Sequence, residues 1–219
     1  MTAPDDPIEL CRGFTTHQWR ALLPQLTNDD PDAWDCAIEV FRRRINERYL
    51  SSIQALIDAD CRADSRHHSE RGDCDSLPQD TTAPVVPGFA ITALCCLLVE
   101  TLQSFREGSS RNTKRQFERF LARPAFRGEF AEAVASRFYT GVRSGILHEA
   151  ETRKWTIWRT SQVGKIVEAL GEGRYLLYRN QFFDAIKQEF NDYLADLQSP
   201  DSGLRAAFLK QMKKIVAAS

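Results

Sequence analysis

Residues 87–108 read PGFAITALCCLLVETLQSFREG. A helix through them is apolar around most of its circumference, and Gly108 supplies its stop. Such a helix cannot lie on a surface, so the rest of the chain has to surround it. Several amphipathic segments are available to do so. From Ala33 to about Ala59, the residues Ile38, Phe41, Ile45, Tyr49, Ile53, Leu56 and Ile57 recur at steps of three and four, behind the capping residues of Asn28–Asp32. A shorter helix is expected over Thr113–Leu121, capped by Ser109 or Asn112 and broken by Pro124. Glu129 to about Leu147 reads as helical again, with Phe130, Val134, Phe138 and Val142 along one face. Asn180 caps a helix to about Leu197, and a last helix covers Gly203–Ala217.

The period changes between these segments. WTIWRT (155–160), KIVEAL (165–170) and RYLLYR (174–179) are short and rich in β-branched and aromatic residues, with Gly171-Glu172-Gly173 as a turn. They predict a small antiparallel β meander over 155–178. Residues 1–32 read as an irregular lead-in with a short helix, Thr16–Leu23, ended by Pro24. Residues 60–87 are polar and without periodicity, which predicts a long exposed loop. The expectation is one mainly α-helical bundle over 1–219 with a small β appendage.

The chain is long enough, and at 42% apolar rich enough, for a real core. No contiguous run approaches the roughly 18–20 apolar residues that a membrane span needs. The acidic, Pro-containing start MTAPDDPIEL is unlike a secretory leader. Both features point to a cytoplasmic protein without a membrane partner. The irregular spacing of Cys11, Cys36, Cys61, Cys74, Cys95 and Cys96 suits reduced thiols. Cys61, His67, His68 and Cys74 lack the tight pairing of a zinc site, so neither metal nor cofactor is expected. The Arg42–Arg44 and Arg48 stripe reads as a solvated helix face. Trp155, Trp158, Tyr175 and Tyr178 are core residues of short strands or, alternatively, stacking platforms for bases.

Net charge is −1, yet residues 103–165 carry thirteen Lys or Arg against six Glu and no Asp. Within that basic stretch lies FYTGVRSGILHEAET (138–152). It sets Arg143 and His148 around a small-residue turn at the end of a helical run. A fixed cation neutralises phosphate charge, and histidine is the residue type suited to moving a proton near neutral pH. Arg-x4-His also occurs at Arg12–His17 and Arg62–His67. Those pairs fall in the lead-in and the polar loop, whereas Arg143 and His148 ride on a helix anchored by an aromatic face. Five residues along a straight helix are about 140° apart. The two groups therefore meet one ligand through local loosening at Gly145, through the reach of the arginine, or through a second copy of the chain. Glu100, a carboxylate inside an apolar run, has to be paired; it holds Arg143 or His148, or bridges another core arginine. Ser144 and Glu149 flank the pair and are candidates to orient it.

The string Arg143-Ser144-Gly145-Ile146-Leu147-His148, preceded by the buried helix from Gly88, resembles the HEPN superfamily. Its members carry Arg-x4-6-His late in a helix of an all-α bundle, and residues 88–152 carry the likeness. The resemblance implies a HEPN-like domain that dimerises through the motif helix and acts as a metal-independent endoribonuclease in bacterial defence or stress response. It implies RNA as the substrate, with an antitoxin or another protein as a further partner. His148 would serve as general base or acid for attack by a ribose 2′-hydroxyl, and Arg143 would stabilise charge on the phosphorus oxygens. Two positions depart from the family pattern. Ser144 stands where many nucleases of the family have Asn or Asp. Ala150 stands where members silenced by a nucleotidyltransferase have Tyr, which argues against adenylylation there. The alternatives are a non-catalytic HEPN-like module binding RNA, a nucleotide or a protein, and a helical regulatory subunit whose histidine is structural.

Overall fold

A computed structural model describes residues 8–67, 87–109, 113–200 and 203–217. The apolar segment forms α4, Gly88–Glu107, closed by Gly108 at φ +59°. It packs against helices on several sides: α3 (Ser51–His67), α5 (Lys114–Leu121), α7 (Ser144–Glu149), α8 (Arg179–Gln198) and α9 (Gly203–Ala217). By length and composition α4 would also cross a membrane, but 67% of its most apolar window is buried inside the fold. The bundle thus supplies the apolar surroundings that the sequence demands.

The helix expected from Ala33 begins at Pro31, where Asp30 caps the Ala33 N–H, and forms α2, Pro31–Ile45. A π-turn, Asn46–Leu50, then leads directly into α3. The helix runs on to His67, past the predicted loop start at residue 60. Asp60 explains the difference. It is buried and ion-paired to Arg179 and, at 2.7 Å, to Arg159, so a residue that reads as loop is an anchor. The remainder of the predicted 60–87 loop, residues 68–86, lies outside the described residues.

The lead-in is more ordered than expected. A hairpin of β1 (Glu9–Cys11) and β2 (Phe14–Thr15) turns at Gly13, and α1 spans Thr16–Thr27 with Pro24 inside it. Pro24 costs this helix one internal hydrogen bond but does not end it, and the continuation buries Leu26. Arg42, Arg43 and Arg48 are exposed, as the stripe reading expects, and Arg44 is half-buried; Arg43, Arg44 and Arg48 have a further role. They donate to the carbonyls of Arg12, Leu10 and Glu9, clamping the hairpin onto α2.

Thr113, rather than Ser109 or Asn112, caps α5 in a reciprocal box with Gln116. After a single turn at Pro124–Phe126, one continuous helix comprises α6 (Glu132–Phe138), a second π-turn (Tyr139–Arg143) and α7. It starts later than Glu129, because the Glu129 carboxylate instead accepts the N–H groups of Ile166 and Val167 at 2.7 and 2.8 Å. Asn180 lies within α8 and bonds Thr160 rather than capping.

The sheet is small, as expected, but it is not a meander. Strands β4 (Val167–Gly171) and β5 (Arg174–Tyr178) form the antiparallel hairpin, while β3 (Trp155–Trp158) joins the far edge of β5 in parallel. The central position of β5 follows from its alternation, which buries Tyr175 and Leu177 against the helices. One core runs through the molecule. At one end Phe41 meets Phe105, Phe190, Tyr193 and Phe208; at the other Phe138 meets Phe117, Phe130, Trp155 and Phe182.

Candidate functional site

The motif helix is shaped by its two glycines. A Cβ on Gly145 would stand 2.3 Å from the main-chain oxygen of Glu151. A Cβ on Gly141 would stand 2.9 Å from the Trp155 ring and 3.1 Å from the Arg153 oxygen. The bare backbone of both residues lets the chain fold back along the helix it has just left. The reversal is tight: Ala150 and Lys154 both adopt left-handed backbone, at φ +53° and +56°. The Thr152 hydroxyl donates to the Trp155 carbonyl at 2.7 Å and holds the return in place.

Arg143 ends the π-turn with its guanidinium directed at α4. Its Nε donates to Glu100 Oε1 at 2.7 Å, and its Cζ lies 5.3 Å from the Tyr139 ring centroid. Of the readings open for Glu100, the structure therefore selects the pair with Arg143. The Arg143 side chain keeps 17% of its surface exposed and that of Glu100 only 7%. Burial alone would lower the Arg143 pKa; the Glu100 hydrogen bond and charge outweigh it, and the net direction is upward. The guanidinium is thus a permanent, fixed cation whose Nη edge makes no hydrogen bond among the described residues.

His148 lies on the last turn of α7 and is exposed. No hydrogen bond joins it to Arg143 or to another described residue. One chain alone directs Arg143 inward and His148 outward, so loosening at Gly145 does not bring them together. Ser144 is half-buried and makes no side-chain hydrogen bond among the described residues. Glu149 does not orient the pair. It forms a two-bonded ion pair with Arg153, Nε at 2.8 Å, and that hydrogen bond holds its carboxyl below the ordinary range.

The neighbouring thiols offer no nucleophile. Cys95 and Cys96 are free and fully buried, and burial pushes both pKa values up, with Glu100 adding to the rise at Cys96. Among the described residues no cluster of His, Cys, Asp or Glu could hold a metal. The side chains of Cys61, His67, His68 and Cys74 lie outside the described residues. Trp155 and Tyr175 stack on each other at 4.7 Å within the core, so they are not open platforms; Trp158 is 59% exposed.

Sequence reading missed a cleft beside the motif. A cavity of about 590 Å³ is lined by Arg137, Thr140 and Gly141 from the motif helix, by Arg153, Lys154 and Trp155 from the return, and by Glu172 and Gly173 from the β4–β5 turn. The basic surplus of residues 103–165 contained most of the cations. Nothing in the spacing told that 137 and 153–154 would face one space. Comparison with family models, with curated proteins and with solved structures finds no match to this chain.

Proposed function

We propose that the chain is a metal-independent endoribonuclease of HEPN type, cytoplasmic and serving bacterial defence or stress response. The observation that carries this reading is the Glu100–Arg143 pair beside an exposed, uncommitted His148. A buried carboxylate fixes one edge of the guanidinium, and its other edge is left for an anion. In the reaction, His148 takes the proton of a ribose 2′-hydroxyl as its oxygen bonds the adjacent phosphorus. Arg143 stabilises the charge on the non-bridging oxygens while the bond to the 5′-oxygen breaks, and that oxygen takes up a proton. The products are a 2′,3′-cyclic phosphate and a 5′-hydroxyl; DNA, without the 2′-hydroxyl, is not a substrate.

The inward and outward directions of the two side chains favour a site completed by a second copy. Leu147, next to His148, is 43% exposed, and Phe89 and Leu97 on α4 are 42% and 39% exposed. Apolar surface of this kind around a motif helix suits a partner chain.

The test is cleavage of single-stranded RNA in EDTA, with His148→Ala abolishing it while leaving the urea midpoint unchanged. Mixing Arg143→Lys chains with His148→Ala chains, each inactive alone, restores activity if the two groups act across copies. A second reading, a non-catalytic RNA-, nucleotide- or protein-binding module, draws on the absence of a described residue that would orient the imidazole. RNA binding without cleavage would favour it, and neither binding nor cleavage would remove both.

A further inference from the structure

We propose that the cleft between the motif helix and the β4–β5 turn is a seat for the phosphodiester backbone of single-stranded RNA, leading the strand to His148. The inference deepens the reading above and rests on it for the identity of the polyanion.

Arg137 from the motif helix and Lys154 from the return both line the cleft, and neither has an acidic partner among the described residues. Arg153, on the same wall as Lys154, is paired with Glu149 and 57% exposed. The opposing charge is Glu172 at the rim, which is 3.6 Å from Arg174. Cations therefore outnumber carboxylates around a space whose volume falls in the range of ligand sites.

Arg137 is also preorganised. The Arg137 Nη1 donates to the Tyr175 hydroxyl at 2.7 Å, and its guanidinium lies 5.9 Å from the Tyr175 ring centroid. Tyr175 stacks on Trp155, and Trp155 meets Phe138 edge-on at 5.2 Å. An arginine bearing on this rigid aromatic floor loses little freedom when it binds a phosphate. Gly173 gives the β4–β5 side of the cleft no side chain of its own, so the Arg137 guanidinium faces bare main chain there.

The cleft is continuous with the motif helix. Gly141 and His148 lie on one helix, about 10 Å apart along its axis. The Glu149–Arg153 bridge joins the residue after His148 to the cleft wall. A strand leaving the cleft past Arg153 runs toward the helix end that carries His148. The exposed Trp158 lies outside this cleft, so the seat reads backbone rather than base.

Lys154 makes the test clean. Its backbone is left-handed at φ +56°, so Lys154→Gly removes the ammonium while supplying the residue that conformation favours. Binding of a fluorescein-labelled single-stranded RNA is measured by anisotropy in EDTA over a KCl series, all in the His148→Ala background. Lys154→Gly and Arg137→Ala together are expected to weaken binding about tenfold and to flatten the salt slope by roughly 1 to 1.5. Lys187→Ala, a cation on α8 outside the cleft, serves as the control for lost charge. Unchanged affinity and slope in the double variant overturn the seat and leave the ribonuclease reading intact. An equal loss in Lys187→Ala likewise overturns it. A cleft-dependent loss in a protein whose wild type never cuts RNA sustains the seat and removes the ribonuclease reading. No RNA binding at all overturns both.

Discussion

Two π-turns grip the same place on the central helix from different helices. The first, Asn46–Leu50, brings the Tyr49 hydroxyl to 3.2 Å from the Thr101 hydroxyl; the second, Tyr139–Arg143, brings Arg143 to 2.7 Å from Glu100. The geometry is shared, and the chemistry is not. The first turn buries none of its own residues and joins two neutral hydroxyls. The second buries Gly141 and Val142 and joins two full charges with little solvent around them. A widened helical turn is therefore not by itself a mark of function. What distinguishes the second is a charge pair that has to be satisfied internally and a glycine face against which the chain doubles back.

Substitutions can break this contrast in descending order of effect. Gly145→Ala drives a methyl group into the Glu151 carbonyl and is expected to cost about 3 kcal/mol in urea unfolding. Its counterpart Ser51→Ala, in the residue after the first turn, stays within about 0.5 kcal/mol. If the two cost the same, the glycine face is not what holds the motif. Glu100→Ala leaves Arg143 without its partner and is expected to cost about 2–3 kcal/mol, against about 1 kcal/mol for Thr101→Val at the neutral contact. Equal losses at these adjacent positions would erase the distinction between the turns. The smallest effect is a gain. Ala150→Gly relieves the left-handed backbone that closes the return and is expected to stabilise the protein by about 0.5 kcal/mol, read as a higher urea midpoint.

Much of the helical layout was legible because periodicity and stop signals are local. The buried character of α4, its end at Gly108, and the segments that became α2, α8 and α9 all follow from side-chain spacing. The errors share one cause, a polar or breaking residue satisfied by a distant partner. Asp60 reads as loop until Arg179 is placed beside it, and Arg44 reads as solvated until the Leu10 carbonyl arrives. Glu129 reads as a helix start until the N–H groups of Ile166 and Val167 reach it. The candidate site divides in the same way. Arg143 and His148 stood out through spacing and context, and the need to pair Glu100 followed from its apolar neighbours. That the partner is Arg143, that Glu149 turns to Arg153 instead, and that Arg137 shares a cleft with Lys154 did not.

The sequence by itself determined that a largely apolar helix would have to be taken out of water. It also determined where bare backbone would lie, because Gly141 and Gly145 are fixed in the chain. Tertiary structure alone decided the parallel docking of β3 on β5, the inward turn of Arg143 and the basic cleft. Each depends on groups far apart in sequence meeting in space, and charges so placed are governed by their neighbours rather than by their order along the chain.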